Sequence, residues 1–478
     1  MSAQKHIHLI GICGTAMASL AGMLKQRGFR VTGSDAAVYP PMSTFLESIG
    51  IPVTQPFSEV NLAPRPDLVV VGNVISRGNV ELEHVLDERI PFCSLPQILH
   101  EEFLRGKEVL VVAGTHGKTT TTSMLAWIFQ SAGKHPSFLV GGIAENFRSS
   151  FLLQDSECFI LEGDEYDSAF FDKGPKFLHY FPDSLILTSV EFDHADIYRD
   201  LDAVELAFRR LLNLVPRRGR VLAFDADDSI DRVLSSALCR VERYGSAAGS
   251  AWQVVNLHLG TEQTSWSVLR HGEHWADFEF PLGGEYNVWN ATAAAALAEG
   301  YGISPVHIAT ALQSFQSVKR RLEVRAEVNG ITVIDDFAHH PTAIRQTIAA
   351  LRARYPGRLL WAILEPRSNT LRRSVLQDEL AHSLANADRI IVANVFKAEA
   401  IPEAERLDLN RVIGAIQHAG KPARIAADAD AIVDILAREA RPKDVIAIFS
   451  NGAFGGIYDK LPVRLQAVAK ESPAEVQS

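Results

Sequence analysis

Apolar and polar residues run in blocks along this chain. Short unbroken apolar runs end at glycine- or acid-bearing turns, and stretches with helical spacing follow them. Residues 109–113 are such a run, predicted as a buried parallel strand. The turn 114–117 follows, and residues 119–132 then place Met124, Leu125, Ile128 and Phe129 at helical spacing, with Gly133 as the stop. The amino-terminal segment repeats the scheme: a strand from His6, a turn at Gly11, a helix over 18–27 stopped by Gly28, and a strand over 29–35. Further strands are predicted over 67–71, 158–162, 185–190, 331–336, 359–364, 389–395 and 445–449, each running into a polar loop. Residues 245–280 instead alternate singly (Trp252, Val254, Leu257; Trp266, Val268), which predicts a peripheral antiparallel hairpin region. An alanine-rich helix is predicted over 291–298, and a helix is expected to end over 312–319. The polar tail from Lys470 is expected to fray.

The fold class predicted from this alternation is α/β with three domains, which the length of 478 residues accommodates. Residues 1–107 form a Rossmann-like domain, 108–319 a central P-loop ATPase-type domain, and 320–478 a second Rossmann-like domain. Hydrophobic content of 47% and charged content of 22% suit a globular enzyme. A net charge of −10 argues against a general nucleic-acid or membrane-surface binder. No window has the apolar length of a membrane span, and the first residues lead into a strand rather than a signal peptide. Four cysteines without metal-like spacing make a reducing cytoplasm the expected location.

The densest candidate chemistry is Gly114-Thr115-His116-Gly117-Lys118-Thr119-Thr120. Strand, glycine turn and helix start together make an anion cradle from backbone N–H groups and the helix dipole. Lys118 supplies a cation for the β- and γ-phosphates of ATP, and the Thr119 hydroxyl is placed for Mg2+. The loop is shorter than a strict P-loop, which would have glycine in place of Val112. Glu162 and His194, each read as ending a strand beside this loop, are candidate ligands for one and a second hard cation. Asn287 and Asn290 share one face of a helix's first turn and are candidate ATP contacts, with helix capping the simpler role for at least one of them.

In the first domain, Cys13 and Ala16 stand where the dinucleotide fingerprint requires glycines, so a nicotinamide cofactor is disfavoured. The turn Gly11–Gly14–Thr15 still suits the diphosphate of another nucleotide. Asp35 would face its ribose or base edge, or cap a turn; Asn73 and Ser76 lie past a strand's carboxyl end, where ligands sit. In the third domain, Arg367, Asn369, Ser450 and Asn451 gather on strand-end loops suited to a carboxylate-rich ligand. His339 and His340 are neighbours, which rarely aim at one ion, so loop hydrogen bonding is the expected role.

Taken in order, the phosphate loop, Glu162, His194, Gly284-x-x-Asn287-x-x-Asn290, Arg321 and Asp336 resemble the Mur ligases, ATP-dependent amide-forming enzymes of peptidoglycan synthesis. The stretches 33–43, 164–173, 335–343, 365–370 and 450–456 resemble most the branch that joins UDP-N-acetylmuramate to the muropeptide-derived tripeptide L-alanyl-γ-D-glutamyl-meso-diaminopimelate in peptidoglycan recycling. The L-alanine-adding branch is the nearest alternative, and a nucleotide switch without covalent product the alternative of another class. The resemblance implies ATP and Mg2+ as cofactors, catalytic roles for Lys118, Glu162, His194 and Arg321, and ATP contacts from Arg321 and Asp336. Several relatives use a carbamoylated lysine after the metal-binding histidine; this sequence has no lysine between Lys176 and Lys319. The second cation is therefore expected to be completed by water, substrate or a carboxylate near His194. Monomer and homodimer both stay open.

Overall fold

The computed structural model describes residues 4–38 and 42–471. The end of the polar tail, and residues 39–41 within the stretch 33–43, lie outside the described residues. Among the described residues, three large sheets organise the chain, beside a two-stranded ribbon of Asp167–Ala169 and Asp172–Pro175. The first has five parallel strands ordered 3-2-1-4-5 in chain order, with His6–Ile10 at its centre. Every residue of that strand is buried, as expected where helices cover both faces. The following helix, Thr15–Gln26, begins three residues earlier than the apolar spacing suggests, because Gly14 takes the N-cap position.

The central sheet has ten strands, with Glu108–Ala113 paired in parallel between Cys158–Gly163 and Ser184–Leu187. Ala113 stands opposite both Gly163 and Leu187, so three carboxyl ends open on one edge. The predicted hairpin region proves to be three antiparallel strands, Trp252–Leu259, Thr264–Arg270 and Glu273–Phe280, that extend this sheet. It is less peripheral than its alternation suggests. Trp252, Trp266 and Phe280 are buried in one core with the helix Glu285–Gly300. That helix is rich in alanine because it is wedged between the sheet and the helix Lys118–Ser131; residues 293–298 are all fully buried.

The helix before the third domain stops at Gln313 rather than near Lys319. The third sheet has six strands, with Ile331–Asp336, Val445–Phe449 and Leu360–Leu364 side by side in parallel. Phe449 lies opposite both Asp336 and Leu364, which brings the loops after them to one edge facing the central domain.

Candidate active site

The phosphate loop is held open by glycines that nothing else could replace. Gly114 has φ +136°, and a Cβ there would lie 2.2 Å from Thr188 Oγ1. Gly117, the N-cap of the helix Lys118–Ser131, has φ +81° and would place a Cβ 2.8 Å from Asn290 Oδ1. Positive φ combined with these contacts makes an alanine costly at either position. Gly114→Ala is expected to lower stability by about 1–3 kcal/mol and the melting temperature by several degrees in a calorimetric scan. Thr115 is pinned by hydrogen bonds with the Glu191 backbone in both directions, and the His116 amide donates to Ser189 Oγ at 2.9 Å. Thr120 is buried beneath the loop.

Lys118 Nζ sits within the loop, donating to the Gly114 carbonyl at 2.7 Å and to both oxygens of Glu165, at 3.0 and 2.8 Å. Burial favours its neutral amine, but the carboxylates of Glu165, Asp164 and Glu162 raise its pKa and keep it charged. Thr119 Oγ1 donates to Glu162 Oε1 at 2.9 Å, and the Gly141 amide donates to Glu162 Oε2 at 2.8 Å. Burial nevertheless pushes the Glu162 carboxyl up, with Asp164 adding like-charge repulsion. Three carboxylates thus crowd a pocket where Lys118 pairs with Glu165 and Lys176 with Asp164. A hard cation at Thr119 and Glu162 would relieve that excess, so the donors fit Mg2+.

His194 does not end a strand: the strand stops at Leu187, and His194 lies on the following loop at φ +54°. Its Nε2 is 3.2 Å from Glu165 Oε1, and Asp164, Glu165 and His194 bring donor atoms within 4.8 Å of one another. Glu165 is therefore the carboxylate that meets His194, in the loop read only as acid-rich. No local pattern signals it, because Glu165 lies past the end of the strand Cys158–Gly163. Burial would lower the His194 pKa, but Glu165 and Asp193 push it up to about 9. Because this value lies above that of an unfolded histidine, the pair stabilises fully below about pH 6.5, and the stability is lost as pH rises through about 9. Thermal melts with chelator from pH 6 to 10 should show that fall, and His194→Gln should flatten it.

Helix capping does not explain the asparagines. The helix Glu285–Gly300 starts at Gly284 without a side-chain cap; Asn287 Nδ2 donates to the Gly283 carbonyl at 2.8 Å, and Asn290 stands against Gly117. Both line a cleft of about 720 Å³ to which all three domains contribute, including Thr15, Lys118 and Arg321. Arg321 makes no ion pair among the described residues and lies over the Phe337 ring, 5.2 Å from its centroid. Asp336 also lines the cleft, but its oxygens accept from the amides of Leu322 and Ala338, at 2.8 and 2.9 Å, so it holds the Arg321 loop in place. Its carboxyl is pushed up by burial.

Of the four third-domain candidates, Arg367 and Ser450 meet at Glu365, and Arg367 lies against Gly452 next to Asn451, whereas Asn369 turns away. Ser450 is fully buried and donates to Glu365. Arg367 lies 3.8 Å from the Phe396 ring centroid and 3.5 Å from Glu365. Asn451 lines the cleft, with its Oδ1 buried and unpartnered. Asn369 turns towards the central domain and donates to Asp196 at 2.7 Å. In the first domain, Gly11 has φ +82°, and the Asp35 carboxylate accepts from the amides of Cys13 and Ala37, so it caps the turn. Asn73 is half-buried and Ser76 exposed on the loop after Leu68–Val71. His339 Nδ1 pairs with the Phe337 carbonyl, and His340 Nε2 with that of Phe192.

Three family profiles match in succession: the Mur ligase family catalytic domain over 6–106, the Mur ligase middle domain over 112–298, and the Mur ligase glutamate ligase domain over 320–452. The chain belongs to the Mur ligase family. It is 44% identical over 469 residues to the UDP-N-acetylmuramate–L-alanyl-γ-D-glutamyl-meso-2,6-diaminoheptandioate ligase of Escherichia coli (strain K12), covering 98% of this chain and 99% of that one. Among solved structures it is similar to a murein peptide ligase from Psychrobacter arcticus: TM-score 0.73, 37% identity, covering 97% of this chain and 99% of that one. The UDP-N-acetylmuramate-alanine ligase of Thermotoga maritima has the same fold, with TM-score 0.80 at 22% identity over 97% of this chain and 99% of that one. As a Mur ligase, the protein is an ATP-dependent amide-forming ligase. Among the described residues, no helix is long and apolar enough to cross a membrane.

Proposed function

We propose that this Mur ligase joins the carboxylate of UDP-N-acetylmuramate to the amino group of L-alanyl-γ-D-glutamyl-meso-diaminopimelate at the expense of ATP. The observation that carries this reading is the three-domain cleft, in which Lys118, Thr119 and Glu162 of the central domain face Arg321 of the third and Thr15 of the first. Similarity over nearly the whole length to the Escherichia coli tripeptide ligase supports the choice of acceptor.

In the reaction, the muramate carboxylate attacks the γ-phosphorus of ATP, giving an acyl phosphate and ADP. The tripeptide amine then attacks the acyl carbon; the amide forms, phosphate leaves, and the amine gives up a proton. Lys118 and the loop amides hold the terminal phosphates and offset the charge that develops during transfer. Arg321 adds a fixed positive charge from the opposite wall. Thr119 and Glu162, and at a second position His194 and Glu165, would hold Mg2+, which would supply positive charge to offset that of the phosphates. Thr15 and the Gly11–Gly14 turn hold the UDP diphosphate at the helix N-terminus, beside Asn73 and Ser76. Docking of the third domain excludes the water that would hydrolyse the acyl phosphate.

Arg367 is assigned to a carboxylate of the incoming peptide. Its planar face rests on Phe396, and its edge, 3.5 Å from Glu365 on one side, offers the remaining N–H groups to a carboxylate. Arg367→Ala should raise the tripeptide KM by about 10–100-fold, with the KM values for ATP and UDP-N-acetylmuramate within twofold of wild type. Equal losses for all three would remove the assignment. ADP release measured with tripeptide and with free L-alanine tests the function itself. Turnover is expected with tripeptide; turnover with L-alanine alone would place the protein in the L-alanine-adding branch. Hydrolysis of ATP independent of both substrates would indicate a nucleotide switch.

A further inference from the structure

At the seam between the central and third domains, three side chains outside the magnesium ligands converge from separate segments. His116 belongs to the phosphate loop, Glu191 follows the strand Ser184–Leu187, and His340 is the N-cap of the helix Pro341–Arg354. Glu191 Oε1 lies 3.6 Å from His116 Nε2, and Glu191 Oε2 lies 3.7 Å from His340 Nδ1. All three donor atoms fall within 4.8 Å of one another. These separations are too long for hydrogen bonds. The two distances run to different Glu191 oxygens, so a shared ion would draw one oxygen and the two imidazoles closer, towards the edge of about 3.3–3.6 Å of a tetrahedron whose metal–ligand bonds are about 2.0–2.2 Å.

His340 Nε2 pairs with the Phe192 carbonyl at 3.2 Å, which fixes its proton there and leaves Nδ1 unprotonated. That Nδ1 accepts the N-cap hydrogen bond from the Thr342 amide at 3.3 Å, a bond that an ion on Nδ1 would displace. His116 Nε2 is buried without a hydrogen-bond partner. Thr342 Oγ1 donates to Glu191 Oε2 at 2.6 Å and orients the carboxylate, as outer-shell partners of metal ligands do.

We propose that His116, Glu191 and His340 form a site for a borderline divalent transition ion of the zinc class, which staples the third domain to the phosphate loop. Two imidazoles and one carboxylate leave a fourth position for water and select such ions over Mg2+, which prefers oxygen ligands. Because the ligands come from two domains, the bound ion holds the domains together.

The test is a Co2+ titration of the full-length chain in saturating Mg2+, followed by visible absorption. One equivalent should give the intense band of four-coordinate cobalt, and Zn2+ should bleach it. Glu191→Gln and His340→Ala should each weaken binding at least tenfold, whereas His194→Ala, which disrupts the other histidine–carboxylate cluster, should leave the band intact. Zn2+ should also raise the melting temperature of the wild type but not of the near-isosteric Glu191→Gln, a comparison that stands even if His340→Ala does not fold. The proposal is overturned by no band at one equivalent, by a band that persists in Glu191→Gln, by a band lost with His194→Ala, or by equal Zn2+ stabilisation of wild type and Glu191→Gln.

Discussion

Lys118→Ala is expected to lower kcat for tripeptide ligation by about 10²–10³-fold, the scale associated with losing one preorganised charge-stabilising donor in a site closed to water. Lys118 is the cation within the phosphate loop, paired to Glu165 and near Glu162 and Asp164. Truncation therefore removes charge from the transferring phosphoryl group and also leaves buried carboxylates uncompensated. The second effect should appear as a loss of stability of about 3–5 kcal/mol, the cost of breaking a buried pair from one side. ADP release under saturating substrates measures the first effect and denaturant unfolding the second. A variant with unchanged kcat would remove Lys118 from the mechanism.

Glu165→Gln should have the next largest effect. Glu165 is almost fully buried and bridges Lys118 and His194, so one substitution loosens both the phosphate-loop cation and the second metal position. Turnover is expected to fall about 10–100-fold, with the Mg2+ concentration for half-maximal rate rising by a similar factor. A fall in kcat at unchanged Mg2+ dependence would make Glu165 a partner of Lys118 alone.

The phosphate loop was legible in the sequence because its determinants are local. An apolar run, two glycines and a lysine at a helix start specify their own geometry, and the structure agrees from Glu108 to Ser131. Glu165 was not, because a tertiary contact sets its placement. Its carbonyl accepts from Tyr198 Oη at 2.6 Å, across a loop that no periodicity describes. The asparagines, candidate ATP contacts in the sequence, line the cleft; the capping that would be their simpler role falls to Gly284, and Asn290 is packed against Gly117, which is distant in sequence. The grouping of Arg367, Asn369, Ser450 and Asn451 was legible in part, because neighbouring strand ends bring Arg367 and Ser450 to Glu365. The buried Ser450 is spent on that carboxylate, and Asn369 serves the domain seam through Asp196. The approach of His340 to His116 depends on domain docking, which a linear pattern does not encode.

The central claim is that the muramate carboxylate is phosphorylated in the cleft around Lys118 and captured by an amine before water reaches it. Its most direct test uses UDP-N-acetylmuramate labelled with 18O in both carboxylate oxygens, incubated with ATP, Mg2+ and tripeptide and analysed by mass spectrometry. The account predicts one 18O in the released phosphate and one in the amide carbonyl of a UDP-linked conjugate. Unlabelled phosphate, or ATP consumption without that conjugate, would contradict it.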